Sequence, residues 1–274
     1  MNVDRYAVIG NPVAHSKSPL IHTAFAKATA QSLSYERLLA PRDGFAAAVA
    51  DFAAQGGKGL NVTIPFKLDA FALVREKSER AESAGACNTL AWRGDHWFGD
   101  NTDGAGLLRD LTVNLSENIA GRSVLVLGAG GAARGILQPL LGQRPHRVVV
   151  ANRTHARAVE LATRFTPYGA VASIEPRALA GSRFDIVINA TSIGLNSQVP
   201  RDLWPDGMFA SAALAYDLVY ANQKTPFMVW AAEQGAAKTA DGLGMLIEQA
   251  AESFLLWRGV RPETAPVFAL LRGG

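Results

Sequence analysis

The chain has 274 residues, of which 49% are hydrophobic, enough for one large domain or two medium ones with a substantial core, and this excludes an intrinsically disordered chain. Its formal charge of +3 is mild and its basic residues are scattered, so nucleic acid is not an expected partner. The single cysteine, Cys87, has no internal disulfide partner, the five histidines are too dispersed for a metal site, and no run approaches the ~18 apolar residues of a membrane span. The start "MNVDRYAVIG" does not read as a signal peptide, so the expected location is cytoplasmic, with no membrane partner, no metal and no disulfide.

In chain order, short apolar runs alternate with helical patterns. "YAVIG" precedes a helix from Pro19, "LSYERLL" a helix from about Arg42, and "KGLNVT" a helix from Pro65, an order that predicts a mostly parallel sheet. "CNTLAW" and "HWFGD", separated by the turn "RGD", predict a hairpin. "NTDGAGLLRDL" then starts a helix, and a domain boundary is expected near Asp103. The alternation restarts with "GRSVLVLGAGGAARGILQPLL" and continues through "RVVVANRT", "GAVAS", "FDIVINATS" and "ALAYDLVY", which predicts a second parallel sheet. The last long helix, roughly Gly244 to Trp257, has no strand after it and is free to pack back on the first domain. The fold class is therefore α/β with two domains: 1–103 plus 243–274, an α/β domain with a mostly parallel sheet, and 104–242, a nucleotide-binding domain of the Rossmann type.

Chemistry concentrates in a few motifs. In "HSKSPLIH", Ser18 before Pro19 reads as a helix N-cap, but Ser16 needs another explanation. If the entering segment is extended, both hydroxyls face one spot at the positive end of the helix, which suits a small anion. "NVTIPFK" places Thr63 at a strand end and Lys67 in a first helical turn, where a cation opposes the helix dipole. A structural lysine avoids that place, and the alternative is a lysine that reaches into water. Asn88 in "ACNTL" and Asp103 in "DNTDG" stand at strand ends, where parallel sheets collect ligands, although turn chemistry also explains both.

The strongest local signal is "VLVLGAGGAARG", a buried strand running into Gly128, Gly130 and Gly131 and then a helix. Such glycines permit a tight turn and close approach to a pyrophosphate on the helix N-terminus, with the small Ala133 letting helix and strand pack. The next strand ends at Asn152, where an acid would hold the ribose of NAD. Instead "NRTHAR" offers Arg153, Thr154 and Arg157 for a 2′-phosphate, so NADP is the expected cofactor. The alternative, two solvated arginines at i and i+4 on a helix, leaves the missing acid unexplained.

"GNPVAHSKSP", "NVTIPFK", "GACNTL", "DNTDGAG", "GAGGAARG", "NRT", "NATSIG", "YDLVY" with a following "TP", and "DGLGMLIEQA" occur in an order, and over nearly the whole chain, that resembles the shikimate dehydrogenase family. The resemblance implies reversible NADP-dependent oxidation of shikimate to 3-dehydroshikimate, in the route to chorismate and the aromatic amino acids. It implies that Ser16, Ser18 and Tyr220 bind the substrate carboxylate, that Thr63, Asn88, Asp103 and Gln249 bind ring hydroxyls, and that Lys67 and Asp103 are the catalytic pair. For the cofactor it implies Gly128, Ala129, Gly130, Gly131 and Ala132, then Asn152, Arg153, Thr154 and Arg157, with Thr191, Leu218, Gly242 and Met245 toward the nicotinamide. Glu79 matches a position sometimes credited with cofactor contact, but reads as an exposed acid. Leu195 and Asn222 depart from the family's usual methionine and proline. Alternatives are a broader quinate/shikimate dehydrogenase that accepts NAD, and an inactive binding or regulatory homologue. Monomer and homodimer are both open.

Overall fold

The computed structural model describes residues 3–191 and 204–272. The chain divides into two units, Met1–Gly106 with Leu246–Gly274, and Leu107–Met245. No helix among the described residues is long and apolar enough to cross a membrane.

The first unit is built on β1 (Asp4–Gly10), β2 (Leu33–Leu39), β3 (Gly57–Val62), β4 (Glu76–Lys77), β5 (Thr89–Trp92) and β6 (Trp97–Asp100), with α1 (Ser18–Ala28), α2 (Phe45–Ala54), α3 (Lys67–Leu73) and α4 (Glu79–Ala84) between them. Its sheet runs β2-β1-β3-β5-β6-β4. The pairs β1/β2, β1/β3 and β4/β6 are parallel. The expected hairpin β5/β6 is antiparallel and joins β3 antiparallel as well, so the sheet is mixed. β1 carries the core residues Ala7 and Ile9, and β3 carries Leu60 and Val62, packed with Phe45, Phe52 and Phe66. Burying each of these large side chains contributes about 1.5–3 kcal/mol.

Two helix starts differ from the sequence reading. α2 begins at Phe45, because 41–44 first forms a turn closed by Gly44 N–H donating to Pro41 O at 3.0 Å. α3 begins at Lys67, since Pro65 lies in a turn whose Phe66 N–H donates to Thr63 O at 3.0 Å. α9 (Leu243–Arg258) and α10 (Ala265–Arg272) complete the chain. From Leu246 on, α9 belongs to the first unit; Trp257 Nε1 donates to Leu90 O at 3.0 Å and Arg258 pairs with Asp4 at 2.5 Å.

α5 (Asp103–Arg109) carries the chain from the first unit into the second and runs into a wider turn at Asp110–Asn114. The second unit continues from there. Its sheet comprises β7 (Ser123–Leu127), β8 (Arg147–Ala151), β9 (Val171–Ile174), β10 (Phe184–Asn189), β11 (Phe209–Asp217) and β12 (Lys238–Ala240), with α6 (Gly131–Gly142), α7 (His155–Phe165) and α8 (Pro226–Glu233). The order β12-β11-β10-β7-β8-β9 is all parallel. It is the doubly wound order, whose direction reverses between β7 and β10. Val124 and Val126 enter one core while Leu125 and Leu127 enter the other. A parallel sheet covered on both faces needs that uninterrupted apolar run.

Candidate active site

In the first unit, Ser16 Oγ donates to Ser18 Oγ at 3.1 Å, so the two hydroxyls do face one spot. The capping expectation is corrected. Lys17 occupies the N-cap and Ser18 is the first helical residue, with no side chain capping from the N-cap itself. The Ser18 N–H instead donates to Ser16 Oγ at 3.3 Å, so the upstream hydroxyl does the local work. Arg37 on β2 donates to Ser16 O from Nη2 at 2.7 Å and from Nε at 3.1 Å, holding the serine loop against the sheet.

Lys67, Asn88, Asp103 and Gln249 are brought together from four places in the sequence. Lys67 Nζ donates to Asp103 Oδ2 at 2.5 Å. Asn88 Nδ2 donates to Asp103 Oδ1 at 2.8 Å and to Gln249 Oε1 at 3.2 Å. Asp103 is 4% and Asn88 2% exposed, so both are held in place rather than solvated in a turn. The chain around them is fixed by Cys87 N–H donating to Lys67 O at 2.9 Å and Thr102 N–H donating to Asn88 Oδ1 at 2.8 Å. A buried carboxylate that receives an ammonium and an amide together is a site for handling one proton next to an alcohol or ketone. Thr63 is half-buried just beyond β3, and no hydrogen bond joins its side chain to this cluster among the described residues. A Cβ at Gly10 would stand 2.4 Å from Thr63 Cγ2, so only glycine lets β1 pass beside it.

Behind the cluster lies a polar layer that the sequence reading missed. The Tyr35 hydroxyl, in hydrogen-bond contact with Ser18, donates to Asn61 Oδ1 at 2.6 Å. Asn61 Nδ2 donates to Ser253 Oγ at 2.9 Å, and Thr89 Oγ1 donates to Asn88 Oδ1 at 2.9 Å. The signal was a buried asparagine inside the apolar strand "GLNVT".

In the second unit, the β7–α6 turn has the shape the glycines require. Gly128 has φ +112°, and a Cβ there would stand 2.9 Å from Ala190 O. Gly130, the N-cap of α6, has nothing within 4 Å of a Cβ position and provides no side-chain cap. A helix start with open space and uncommitted N–H groups fits a dinucleotide pyrophosphate. Ala129 and Ala133 are buried, and Gly131 opens the helix; Ala132 is the second residue of α6. Asn152 follows β8 and its Nδ2 donates to Thr154 O at 2.9 Å. Arg153 precedes α7 and Arg157 lies in its first turn, so they do not form the i, i+4 pair on one helix face. Both are exposed, and neither makes an ion pair among the described residues. Two free guanidinium groups beside a ribose position fit the 2′-phosphate of NADP. Thr191 lies two residues beyond β10 and Leu218 directly after β11. Gly242 precedes α9, and Met245, on its first turn, is buried, its N–H donating to the Tyr216 hydroxyl at 3.3 Å. Tyr220 is half-buried in the second unit, Glu79 is exposed at the start of α4, Asn222 is exposed, and Leu195 lies outside the described residues.

Three stretches match family descriptions: 8–90 "Shikimate dehydrogenase substrate binding domain", 110–197 "Shikimate / quinate 5-dehydrogenase", and 242–272 "Shikimate 5'-dehydrogenase C-terminal domain". A shikimate dehydrogenase (NADP(+)) of Nitrosospira multiformis is 55% identical, over 98% of this chain and 97% of that protein. The chain belongs to the shikimate dehydrogenase family. Among solved structures, the Ael1 enzyme of Pseudomonas putida is 48% identical with a TM-score of 0.90, covering 98% of both chains. Shikimate 5-dehydrogenase of Thermus thermophilus, solved with NADP(H) and shikimate, is 32% identical with a TM-score of 0.84 and 96% coverage of both. The shikimate dehydrogenase family match to 8–90 contains Ser16, Ser18, Thr63, Lys67 and Asn88, and the match to 110–197 contains the whole glycine turn and the arginine pair.

Proposed function

We propose that this chain catalyses the reversible NADPH-dependent reduction of 3-dehydroshikimate to shikimate, with Lys67 and Asp103 handling the proton. The observation that carries the assignment is the Lys67 to Asp103 contact of 2.5 Å, flanked by Asn88 and Gln249. Ser16 and Ser18 receive the substrate carboxylate at the start of α1, with Tyr220 assigned to the same anion by its family motif. Asn88, Thr63, Asp103 and Gln249 receive the ring hydroxyls.

When bound, the reduced nicotinamide supplies the hydride. Lys67 donates its proton to the carbonyl oxygen as that oxygen becomes an alkoxide, and the neutral amine then recovers a proton from solvent. In the oxidative direction the amine accepts the alcohol's proton. Asp103 holds the ammonium in place and orients the hydroxyl, and Asn88 fixes the carboxylate. Gly128 to Ala132 hold the pyrophosphate, and Asn152, Arg153, Thr154 and Arg157 hold the 2′-phosphate. Thr191, Leu218, Gly242 and Met245 hold the nicotinamide end. On this reading the enzyme is cytoplasmic and works as a monomer or a homodimer.

Absorbance of the reduced nicotinamide, with shikimate or quinate against NADP or NAD, tests the assignment: turnover is expected with shikimate and NADP, and a preference for quinate with NAD would replace it by the broader activity. Lys67→Ala should lower kcat by about 10² or more, with a smaller effect on KM. Near-native turnover in that variant would remove Lys67 from the proton step.

A further inference from the structure

The motif "YDLVY" supplies Leu218 and Tyr220 to the proposed site but leaves its acid without a part. Asp217 ends β11 and is 1% exposed. Its Oδ1 accepts from Asn189 Nδ2 at 2.9 Å and from the Val219 N–H at 3.1 Å, and its Oδ2 accepts from the Thr225 hydroxyl at 2.6 Å. No lysine or arginine pairs with it among the described residues, and burial pushes its carboxyl up to about 6. A buried carboxylate without a cation is costly. Its three donors sit on three different segments.

Two of these segments, those of Asn189 and Val219, lead to residues assigned above to the nicotinamide end. Asn189 Oδ1 in turn accepts from the Thr191 N–H at 3.1 Å and from its hydroxyl at 2.7 Å. Val219 follows Leu218, and its carbonyl accepts from Gly242 N–H at 3.0 Å. A Cβ on Gly242 would stand 2.2 Å from Leu218 O and 3.2 Å from Asp217 O, so the segment after β12 lies directly against the end of β11. The Thr225 hydroxyl that donates to Asp217 also accepts from the Met228 N–H at 3.3 Å, so the same carboxylate orients the α8 cap as well.

We infer that Asp217 is a positioning residue, whose carboxylate locks Thr191, Leu218 and Gly242 into the arrangement that receives the nicotinamide end of NADP. The inference rests on the assignment of those three residues to the cofactor. An asparagine in its place keeps one acceptor oxygen and loses the other, and an alanine loses both.

Calorimetric binding of NADPH is compared with that of 2′,5′-ADP, which carries the 2′-phosphate but no nicotinamide. In Asp217→Ala the Kd for NADPH should rise about tenfold or more, the scale of losing one or two net hydrogen bonds, while that for 2′,5′-ADP stays within about twofold. Asp217→Asn should fall between wild type and Asp217→Ala. Equal weakening of both ligands, or no change in either, overturns the inference. Should Asp217→Ala fail to fold, Asp217→Asn decides by the same comparison: selective loss of NADPH supports it and any other pattern overturns it. Gly242→Ala crowds Leu218 without touching the carboxylate. If it leaves NADPH binding unchanged, the nicotinamide assignment itself fails and the inference with it; if it weakens NADPH selectively while the Asp217 variants do not, the inference alone fails.

Discussion

Lys67 and Asp103 are 36 residues apart and meet at 2.5 Å. Placement at a helix start marked the lysine in the sequence, and a strand end marked the acid, but only burial separates Asn88 and Asp103 from ordinary turn residues. His22 is the opposite case, a residue flanking the serine motif that proves to be interior. It is fully buried and stacks on Tyr35, with centroids 4.3 Å apart and planes 4° apart. Neither ring nitrogen has a hydrogen-bond partner of good geometry. Burial lowers its pKa to about 3, with Asn61 near enough to offset only part of that effect. Below about 6.5 the unfolded imidazole binds a proton that the folded one refuses, so stability is complete above that pH and falls as pH drops toward 3. The slope is up to about 1.4 kcal/mol per pH unit. Between pH 7 and pH 5, wild type should therefore lose about 2 kcal/mol more than His22→Phe, which keeps the stack. Urea unfolding at the two pH values measures this, and equal losses would show that His22 is protonated in the fold.

At the scale of the element, α1 shows how a readable helix hides its own start. Pro19 marks the first turn correctly, yet Lys17 takes the N-cap and Ser16 supplies the hydroxyl that meets Ser18 N–H. Sequence could not choose between the two serines because the choice depends on a backbone held by Arg37 from β2. Ser16→Ala should cost about 0.5–1 kcal/mol of stability and Ser18→Ala less, reversing the order that a Ser-Pro cap implies. Changing both should raise KM for shikimate by more than tenfold, since each bond to a carboxylate contributes roughly 1.5–3 kcal/mol. A shikimate analogue with hydroxymethyl in place of the carboxylate gives the decisive comparison: the double variant should discriminate far less against it, whereas an equal penalty on both compounds would mean that the serines only shape the loop.

For the whole molecule, the two series of βα units and the glycine turn state the architecture, and the arginine pair states the cofactor. Arg153 and Arg157 are exposed, so their replacement should leave stability nearly unchanged. Replacing both should weaken NADP by at least about a hundredfold and leave NAD little changed, because each charge-assisted bond to the 2′-phosphate contributes roughly 1.5–3 kcal/mol. Kd values for the two cofactors check this, and parallel losses would make the arginines structural.

Legible in the sequence alone was what is local or periodic: strands as apolar runs, the hairpin, the glycine turn, whose Gly128 takes a φ of +112°, and ordered motifs dense enough to state the family. Which distant residues share one buried environment was settled by packing. Gln249 reaches Asn88 across 161 positions, Asn61 reaches Ser253 across 192, and Asp217 ties Asn189 to Thr225. Periodicity records which face of an element is buried, but a buried polar group is stable only when its partners arrive from other elements, and those partners are fixed by packing.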